Sequence, residues 1–202
     1  MNNKSVTDKS KLLSWLLRHG AGEEGLTMDA AGWAPVDEVL RVARCSREVL
    51  EDVVVLNNKQ RYEYDGERVR ASQGHSLDGM PVTLDALERS WAVYDGGDAV
   101  WHGTSVEAIA GIARTGIERG QRSHVHLAEA VDSHVGKRAS VHVMLEVSVA
   151  RLRAVGLEVY RSPNGVVLTR EVPVGCIVRL DPVSKRAKSV AADLRGLLGV
   201  EL

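Results

Sequence analysis

Four short polar segments contain the side chains of this 202-residue chain that could do chemistry. Arg18-His19, and Arg70 followed by residues 73–76, combine cations with small polar groups, as a phosphate or sugar contact requires. Residues 101–104 and 121–126 are the other two segments. Each also has an ordinary structural interpretation: the first is typical of a helix C-terminus, where the helix dipole favours cations, and the second of a solvated loop. Taken singly, none of the four assigns a function.

Residues 101–104, Trp-His-Gly-Thr, place the end of a strand beside the start of a helix, where an anion or a dinucleotide can bind. The chain has no GxGxxG and no GxxxxGKS or GxxxxGKT, so neither a Rossmann fold nor a P-loop is supported. His124 and His126 stand two residues apart, a spacing that can bind a metal. The sequence offers them no clear carboxylate or cysteine partner, so we expect no metal site.

The composition limits how a ligand can be bound. The net charge is −1, from 26 basic and 27 acidic residues, so an anionic partner must be bound by a local cluster and not by a chain-wide polycation. Aromatic residues make up 4% and there is no Phe, which argues against a base-stacking platform. Cys45 and Cys176 lie far apart and read as free thiols in a reducing compartment. The polar N-terminus and the lack of a long apolar run predict a cytoplasmic protein.

The elements of the first half follow the order of a winged-helix domain. A helix is predicted over residues 8–19, with four leucines on one face and Gly20 at its end. A second helix follows Pro35, and Ser46 is placed to cap a third. Asp65-Gly66 between two alternating runs then predicts a hairpin.

The second half has the pattern of a β-rich α+β domain. Residues 77–98 form the connection, with a short helix possible over 84–94, and a strand follows at 99–102. Thr104 and Glu107 form a capping-box pair for a helix that Gly116 ends. Strands are predicted at 125–127, 141–147 and 176–180, with a hairpin around residues 164–165 and a small helix or tail at 189–198.

Seven motifs stand in the order shown by the NAD-dependent RNA 2′-phosphotransferases, the KptA family. They are LLRHG, AGW with a following VDEVL, NKQRY, RASQGHS, WHGT, GQRSHVHLA and SPNGVVLT. The resemblance runs from about Ser10 to Leu180. It implies an α+β protein with a winged-helix lobe over residues 1–91, which binds RNA, and an ADP-ribosyltransferase-like lobe over 92–202, which binds NAD.

The resemblance also implies a reaction. The family transfers an internal RNA 2′-phosphate, typically at a tRNA splice junction, to NAD. It releases nicotinamide and ADP-ribose 1″,2″-cyclic phosphate through an ADP-ribosylated RNA 2′-phosphate. NAD is a co-substrate and no metal is needed. RNA and NAD are the expected partners, with no membrane and a monomer as the default state.

The site residues implied by the resemblance fall on matching motif positions. The essential set is Arg18, His19, Arg70 and Arg122, which both lobes would contribute. The NAD-binding positions are His102, Gly103, Thr104, Ser123, His124, His126, Asn164, Gly165 and Val166. The RNA-contacting positions are Gln73, His75 and Ser76.

Two departures from related sequences bear on the interpretation. Protein-modifying relatives carry a catalytic Glu where this chain has Asn164-Gly165-Val166, which argues against modification of proteins. Many members of the family carry a Pro and a charged residue after Arg-His, where this chain has Gly20-Ala21-Gly22. Two alternatives stay open: ADP-ribosylation of terminal phosphates of RNA or DNA, and a winged-helix regulator that senses NAD.

Overall fold

The computed structural model describes residues 3–133, 135–136 and 140–200, with the side chains of residues 3–6 excepted. The chain divides into two compact units, Met1–Ala92 with Gln121–Ser123, and Val93–Gly120 with His124–Leu202. Helices and antiparallel sheets occur in both, which confirms the α+β class predicted from the sequence. No helix in the described ranges is long and apolar enough to span a membrane.

The first unit consists of helices followed by a small sheet. Its elements are α1 (Asn3–Trp15), a π-helical turn (Leu16–Gly20), β1 (Ala34–Pro35), α2 (Val36–Ala43), α3 (Arg47–Val55), β2 (Tyr62–Tyr64), β3 (Arg68–Ala71) and α4 (Leu84–Arg89). The sheet order is β1-β3-β2, and all pairs are antiparallel. The predicted hairpin at Asp65-Gly66 is therefore present, extended by the short strand β1.

The core of the first unit is aliphatic, as the lack of Phe requires. Side chains from the three helices and the hairpin are at most 2% exposed: Leu13, Leu16, Leu17, Val36, Val39, Leu50, Val53 and Val69. Tyr62 on β2 is buried, and its hydroxyl donates to Ser10 O at 2.7 Å and lies 2.6 Å from Ser14 Oγ. These contacts fasten α1 to the hairpin, so the end of α1 has a fixed place.

In the second unit, the described residues form two sheets and four α-helices. Its elements are β4 (Ala92–Val93), β5 (Ala99–Thr104), α5 (Ile109–Thr115), β6 (Val125–Leu127), β7 (Val143–Ser148), α6 (Val149–Ala154), β8 (Tyr160–Arg161), β9 (Val167–Thr169), β10 (Ile177–Pro182), α7 (Lys185–Ser189) and α8 (Ala191–Leu198). The sheet orders are β10-β7-β5 and β4-β8-β9-β6. Val143, Leu145 and Val147 are fully buried, as their alternation predicts.

Two local predictions of helix caps were wrong. Thr104 does not cap a helix, because it is the last residue of β5 and pairs with Val143. Ser105 instead precedes a 3₁₀ turn, Val106–Ala108, that leads into α5. Ser46 does precede α3, but its side chain makes no capping hydrogen bond. The last segment is helical because α8 buries Leu194 and Leu198.

Candidate functional site

Arg18 and His19 lie in the π-helical turn that ends the first long helix. Leu16 and Leu17, the first two residues of the turn, are fully buried, so the turn is anchored by its apolar residues. Insertions of this kind into an α-helix occur frequently at functional sites. The sequence predicted an ordinary helix end here, because an extra residue per turn leaves no signature in apolar spacing.

The glycines after His19 are explained by close packing. A Cβ on Gly20 would lie 2.6 Å from Cη2 of the Trp15 ring, and a Cβ on Gly22 only 2.1 Å from the carbonyl oxygen of Gly79. Both distances are shorter than real Cβ contacts allow. Gly20-Ala21-Gly22 therefore forms a compact support for the π-helical turn.

The Arg18 guanidinium is a buried cation. Burial lowers the pKa of Arg18 to about 10, with smaller contributions from Arg61 and Arg122, so the group stays protonated at neutral pH. Within the described part of the chain, Arg18 Nε and Nη2 are shielded from solvent and have no hydrogen-bond partner. Buried N–H donors on a cation are costly unless an acceptor is supplied. This favours an anionic ligand at Arg18.

Ser76 connects His19, Arg18 and Arg122. Its Oγ lies 2.8 Å from His19 Nδ1, its backbone N donates to Arg18 O at 2.9 Å, and it forms an antiparallel bridge with Arg122. Burial, followed by the charges of Arg18 and Arg122, lowers the pKa of His19, so the imidazole is neutral at pH 7. Three of the four residues of the essential set are thus brought together.

Arg122 belongs to the first compact unit, although the sequence assigned it to the second lobe. The physical reason is pairing: Ser123 N donates to His75 O at 2.7 Å, next to the bridge between Ser76 and Arg122. Ser123 is buried and Arg122 is exposed, so the backbone of this segment is held while the guanidinium reaches solvent. A long-range pairing of this kind has no local signal in the sequence.

The other predicted RNA contacts lie in the same stretch of chain. Gly74 has φ +92°, which favours glycine, and a Cβ there would touch Arg18 Nε at 3.5 Å. His75 is 1% exposed, and a Cβ on Gly32 would lie 2.8 Å from its Nε2. Gln73 is half-buried. The backbone of residues 74–76 therefore packs closely on the first unit, with Gly74 next to Arg18.

Arg70 has a different environment from the other three. It is 5% exposed, and its Nε and Nη2 form a bidentate ion pair with Glu63 at 2.9 and 3.0 Å. Its Nη1 donates to Ala31 O at 3.1 Å and to Ser90 Oγ at 2.8 Å, and the guanidinium lies 4.8 Å from the centre of the Trp33 ring. In this structure Arg70 is held by protein groups on several sides.

Sequence reasoning missed Glu63 and Trp33 as partners of Arg70. The register of the hairpin holds the first signal, since Glu63 stands directly opposite Arg70 across β2 and β3. Arg68, two residues before Arg70 on the same face, also lies over the Trp33 ring at 5.0 Å. Trp33 thus makes a cation–π contact with each arginine.

In the second unit, His102 and His126 are brought together. His102 Nδ1 lies 3.2 Å from His126 O, and because a carbonyl oxygen only accepts, Nδ1 carries the proton. This contact fixes the orientation of the His102 ring beside β6. Gly103 packs against Val141, where a Cβ would lie 2.7 Å from Cγ2, and Thr104 is 2% exposed. Gly103 and Thr104 are therefore buried, whereas His102 beside them on β5 is half-buried.

His124 and His126 flank the start of β6 and differ in exposure. His124 is 1% exposed and its ring meets the Tyr160 ring edge-on, 6.5 Å between centroids, whereas His126 is half-buried. Across residues 3–133, 135–136 and 140–200, no three His, Cys, Asp or Glu side chains are grouped as a metal site requires.

Asn164, Gly165 and Val166 form the tight turn between β8 and β9. Gly165 N donates to Ser162 O at 2.8 Å and Ser162 N donates to Val166 O at 2.9 Å. Gly165 has φ +78°, a conformation that favours glycine. Asn164 is buried, with its Oδ1 2.9 Å from Ser162 Oγ. The turn therefore holds the Asn164 amide in a fixed, buried place.

Comparison with known proteins identifies the family. The model of the RNA 2′-phosphotransferase, Tpt1 / KptA family matches residues 4–171. The chain belongs to this family. A protein of Pseudomonas syringae pv. tomato named "Probable RNA 2′-phosphotransferase" is 36% identical over 195 residues, covering 91% of this chain and all of that protein.

Other RNA 2′-phosphotransferase relatives are equally similar. Proteins with the same name from Pseudomonas fluorescens and Burkholderia lata are 35% and 36% identical, over 89% and 87% of this chain. The matched regions span 100% of the Pseudomonas fluorescens protein and 92% of the Burkholderia lata protein. The match extends through both compact units, since residues 4–171 include all four polar segments.

Proposed function

We propose that this chain removes an internal 2′-phosphate from RNA by transferring it to NAD. The observation that carries the proposal is the buried Arg18 cation, whose Nε and Nη2 have no hydrogen-bond partner within the described residues and which lies beside His19 and Arg122. Such a site suits a dianionic phosphate, because guanidinium donors and phosphate oxygens form charge-assisted hydrogen bonds. Membership of the RNA 2′-phosphotransferase family supports RNA as the carrier of that phosphate.

The second unit supplies groups that fit NAD. The imidazole of His102 suits a ribose hydroxyl, and the buried amide of Asn164 suits the carboxamide of nicotinamide. His126 lies next to His102 through its carbonyl oxygen. NAD enters this reaction as a substrate that is consumed.

In the first step, Arg18 and Arg122 hold the RNA 2′-phosphate, and one of its oxygens forms a bond to C1″ of the nicotinamide ribose as nicotinamide leaves. A phosphate oxygen is already anionic, so this nucleophile needs no general base. That is why an amide at Asn164 can stand where protein-modifying relatives need a carboxylate. The product is an ADP-ribosylated RNA 2′-phosphate.

In the second step, the ribose 2″-hydroxyl attacks the phosphorus and the RNA 2′-oxygen leaves. Arg18 and Arg122 stabilise the negative charge on the phosphoryl oxygens in the transition state. The products are RNA with a free 2′-hydroxyl and ADP-ribose 1″,2″-cyclic phosphate.

We also infer the roles of the two units. The first has three helices followed by an antiparallel hairpin, the order of a winged-helix domain, and we assign it to RNA. The second, with its two antiparallel sheets, we assign to NAD as an ADP-ribosyltransferase-like lobe.

The direct test uses a short RNA with one internal 2′-phosphate, incubated with the protein with and without NAD. We expect NAD-dependent loss of the phosphate, release of nicotinamide and formation of ADP-ribose 1″,2″-cyclic phosphate. A stable ADP-ribose cap on a terminal phosphate, with no action on the internal one, would overturn the proposal. DNA binding that responds to NAD without nicotinamide release would overturn it in favour of a regulator.

A further inference from the structure

His19 is the accessible imidazole at the phosphate site. It is an exposed residue, yet one ring nitrogen, Nδ1, is bound to Ser76 Oγ at 2.8 Å. The second imidazole of the segment, His75, is 1% exposed with its Nε2 against the backbone of Gly32. A substrate therefore meets His19, and it meets the His19 ring on the side away from Ser76.

The second step needs a proton acceptor, which arginines cannot supply. The bond from the ribose 2″-oxygen to phosphorus forms while the bond from phosphorus to the RNA 2′-oxygen breaks. The 2″-hydroxyl must lose its proton and the leaving 2′-oxygen must gain one. The guanidinium groups of Arg18 and Arg122 have donors and no acceptor lone pair. A neutral imidazole with a free Nε2 lone pair can take the proton and return it to the leaving oxygen.

The hydrogen bond to Ser76 selects which nitrogen is free. A serine hydroxyl can donate or accept, so the pair allows two tautomers of His19. With the proton on Nδ1, donated to Ser76 Oγ, the ring presents the Nε2 lone pair that the second step requires. Burial and the charges of Arg18 and Arg122 lower the pKa of His19, which keeps the ring neutral and competent as a base.

We propose that Ser76 is a positioning residue for the second step: its hydroxyl holds His19 in the Nδ1-protonated tautomer, so that Nε2 accepts the ribose 2″-hydroxyl proton. The inference rests on the proposed function, since it presumes a step at phosphorus. The Ser76 backbone has a separate role, because its N–H binds Arg18 O and its strand bridge binds Arg122. Replacing the hydroxyl alone leaves that backbone role intact.

The test compares Ser76→Ala, Ser76→Thr and a control in the full-length protein. Ser72→Ala is the matched control: it removes a buried serine hydroxyl four residues away that donates to Gln60 O and is not bound to His19. Single-turnover reactions with 2′-phosphorylated RNA and NAD separate the two steps, because the ADP-ribosylated RNA accumulates when the second is slow.

We expect Ser76→Ala to slow the second step by about 10- to 100-fold, which is less than the roughly 100- to 10,000-fold that a general base contributes, because His19 itself is retained. The first step should stay within about 3-fold of wild type, since it needs no base. Ser76→Thr keeps the hydroxyl and should restore the second step. Equal slowing of both steps, or a threonine variant as slow as the alanine variant, would overturn the proposal.

A second readout does not depend on activity. Nitrogen-15 NMR of the histidine rings, with the His19 signals identified from a His19→Gln variant, reports which ring nitrogen carries the proton. We expect Nδ1 protonation in the wild type and in Ser72→Ala, and a tautomer mixture in Ser76→Ala. An Nε2-protonated wild-type ring would refute the role of Ser76 even if phosphate transfer occurs. Absence of any transfer by the wild type would instead refute the proposed function.

Discussion

We expect Arg18 to be needed for phosphate transfer but to contribute little to the stability of the fold. Its Nε and Nη2 are buried without a hydrogen-bond partner among the described residues, so the folded protein gains little from its charge. We predict that Arg18→Met lowers phosphate transfer by about 100-fold or more, because the phosphate loses a charge-assisted contact in the transition state. The free energy of unfolding should stay within about 1 kcal/mol of wild type, since methionine retains the apolar stem.

Urea denaturation and single-turnover kinetics test Arg18→Met together. Ser46→Ala is the neutral control for both assays, because Ser46 is exposed and its side chain makes no capping hydrogen bond. A loss of stability above about 2 kcal/mol would show that the Arg18 guanidinium supports the fold. The prediction that Arg18 is needed for phosphate transfer and not for stability would then be wrong.

In contrast to Arg18, we expect the ion pair of Arg70 with Glu63 to contribute to the stability of the fold. The Arg70 side chain is 6% exposed and its partner Glu63 is 24% exposed, so breaking the bidentate pair leaves a charge poorly hydrated. We predict that Glu63→Gln destabilises the protein by about 2 to 3 kcal/mol, below the full effect for a deeply buried pair because Glu63 keeps some solvent contact.

Arg68→Met is the matched control for the Glu63→Gln variant. Arg68 lies on the same face of β3 and over the same Trp33 ring, but its side chain is 52% exposed and pairs with Asp65. Its replacement should cost less than about 1 kcal/mol. Equal losses for both variants in urea denaturation would mean that the Trp33 contact, and not the ion pair with Glu63, holds this part of the unit.

At the scale of elements, the end of α1 depends on a close approach between two loops. A Cβ on Gly22 would lie 2.1 Å from the backbone carbonyl oxygen of Gly79, and backbone cannot swing aside as a side chain can. We predict that Gly22→Ala destabilises the protein by about 1 to 3 kcal/mol, the usual cost of overpacking. Thermal denaturation measures this shift.

Gly97→Ala is the control for the Gly22→Ala change, because nothing lies within 4 Å of a Cβ there and its φ is not positive. The Gly97→Ala change should leave the midpoint of thermal unfolding nearly unchanged or raise it slightly, because alanine reduces the conformational freedom of the unfolded chain. An unaffected Gly22→Ala variant would show that the two loops separate at little cost, and the support under the π-helical turn would need another explanation.

The elements themselves were largely predictable, because periodicity is a local property. The leucines of α1, the alternation of Val143 to Val147 and the Asp65-Gly66 turn each lie within a few residues of the structure they determine. The π-helical turn at Leu16–Gly20 was not predictable, because the extra residue in the turn leaves no signature in apolar spacing. Arg18, His19 and Arg122 were found through the family motifs. The pairing of Ser76 with Arg122 and the ion pair of Arg70 needed the structure.

At the scale of the whole molecule, only a small number of basic side chains is available to bind RNA. The chain has a net charge of −1, and several basic residues are already paired with acidic ones, among them Arg47, Arg68, Arg70, Arg161 and Arg179. Arg61 and Arg122 lie close enough to Arg18 for their charges to add to the effect of burial in lowering the pKa of Arg18, so the three form one cluster of like charge. Binding of RNA should therefore be local to the phosphate that reacts.

This arrangement sets the salt dependence of the reaction with RNA. Each phosphate neutralised on a single strand contributes about 0.7 to the slope of log affinity against log salt concentration, so a site that neutralises the one reacting phosphate predicts a slope of about −0.7. Measuring kcat/KM for the 2′-phosphorylated RNA at several NaCl concentrations and saturating NAD gives this slope. Arg122→Ala should lower kcat/KM at every salt concentration and make the slope shallower. A slope steeper than about −4 would reveal an extended cationic RNA surface, contrary to a site that reads one phosphate.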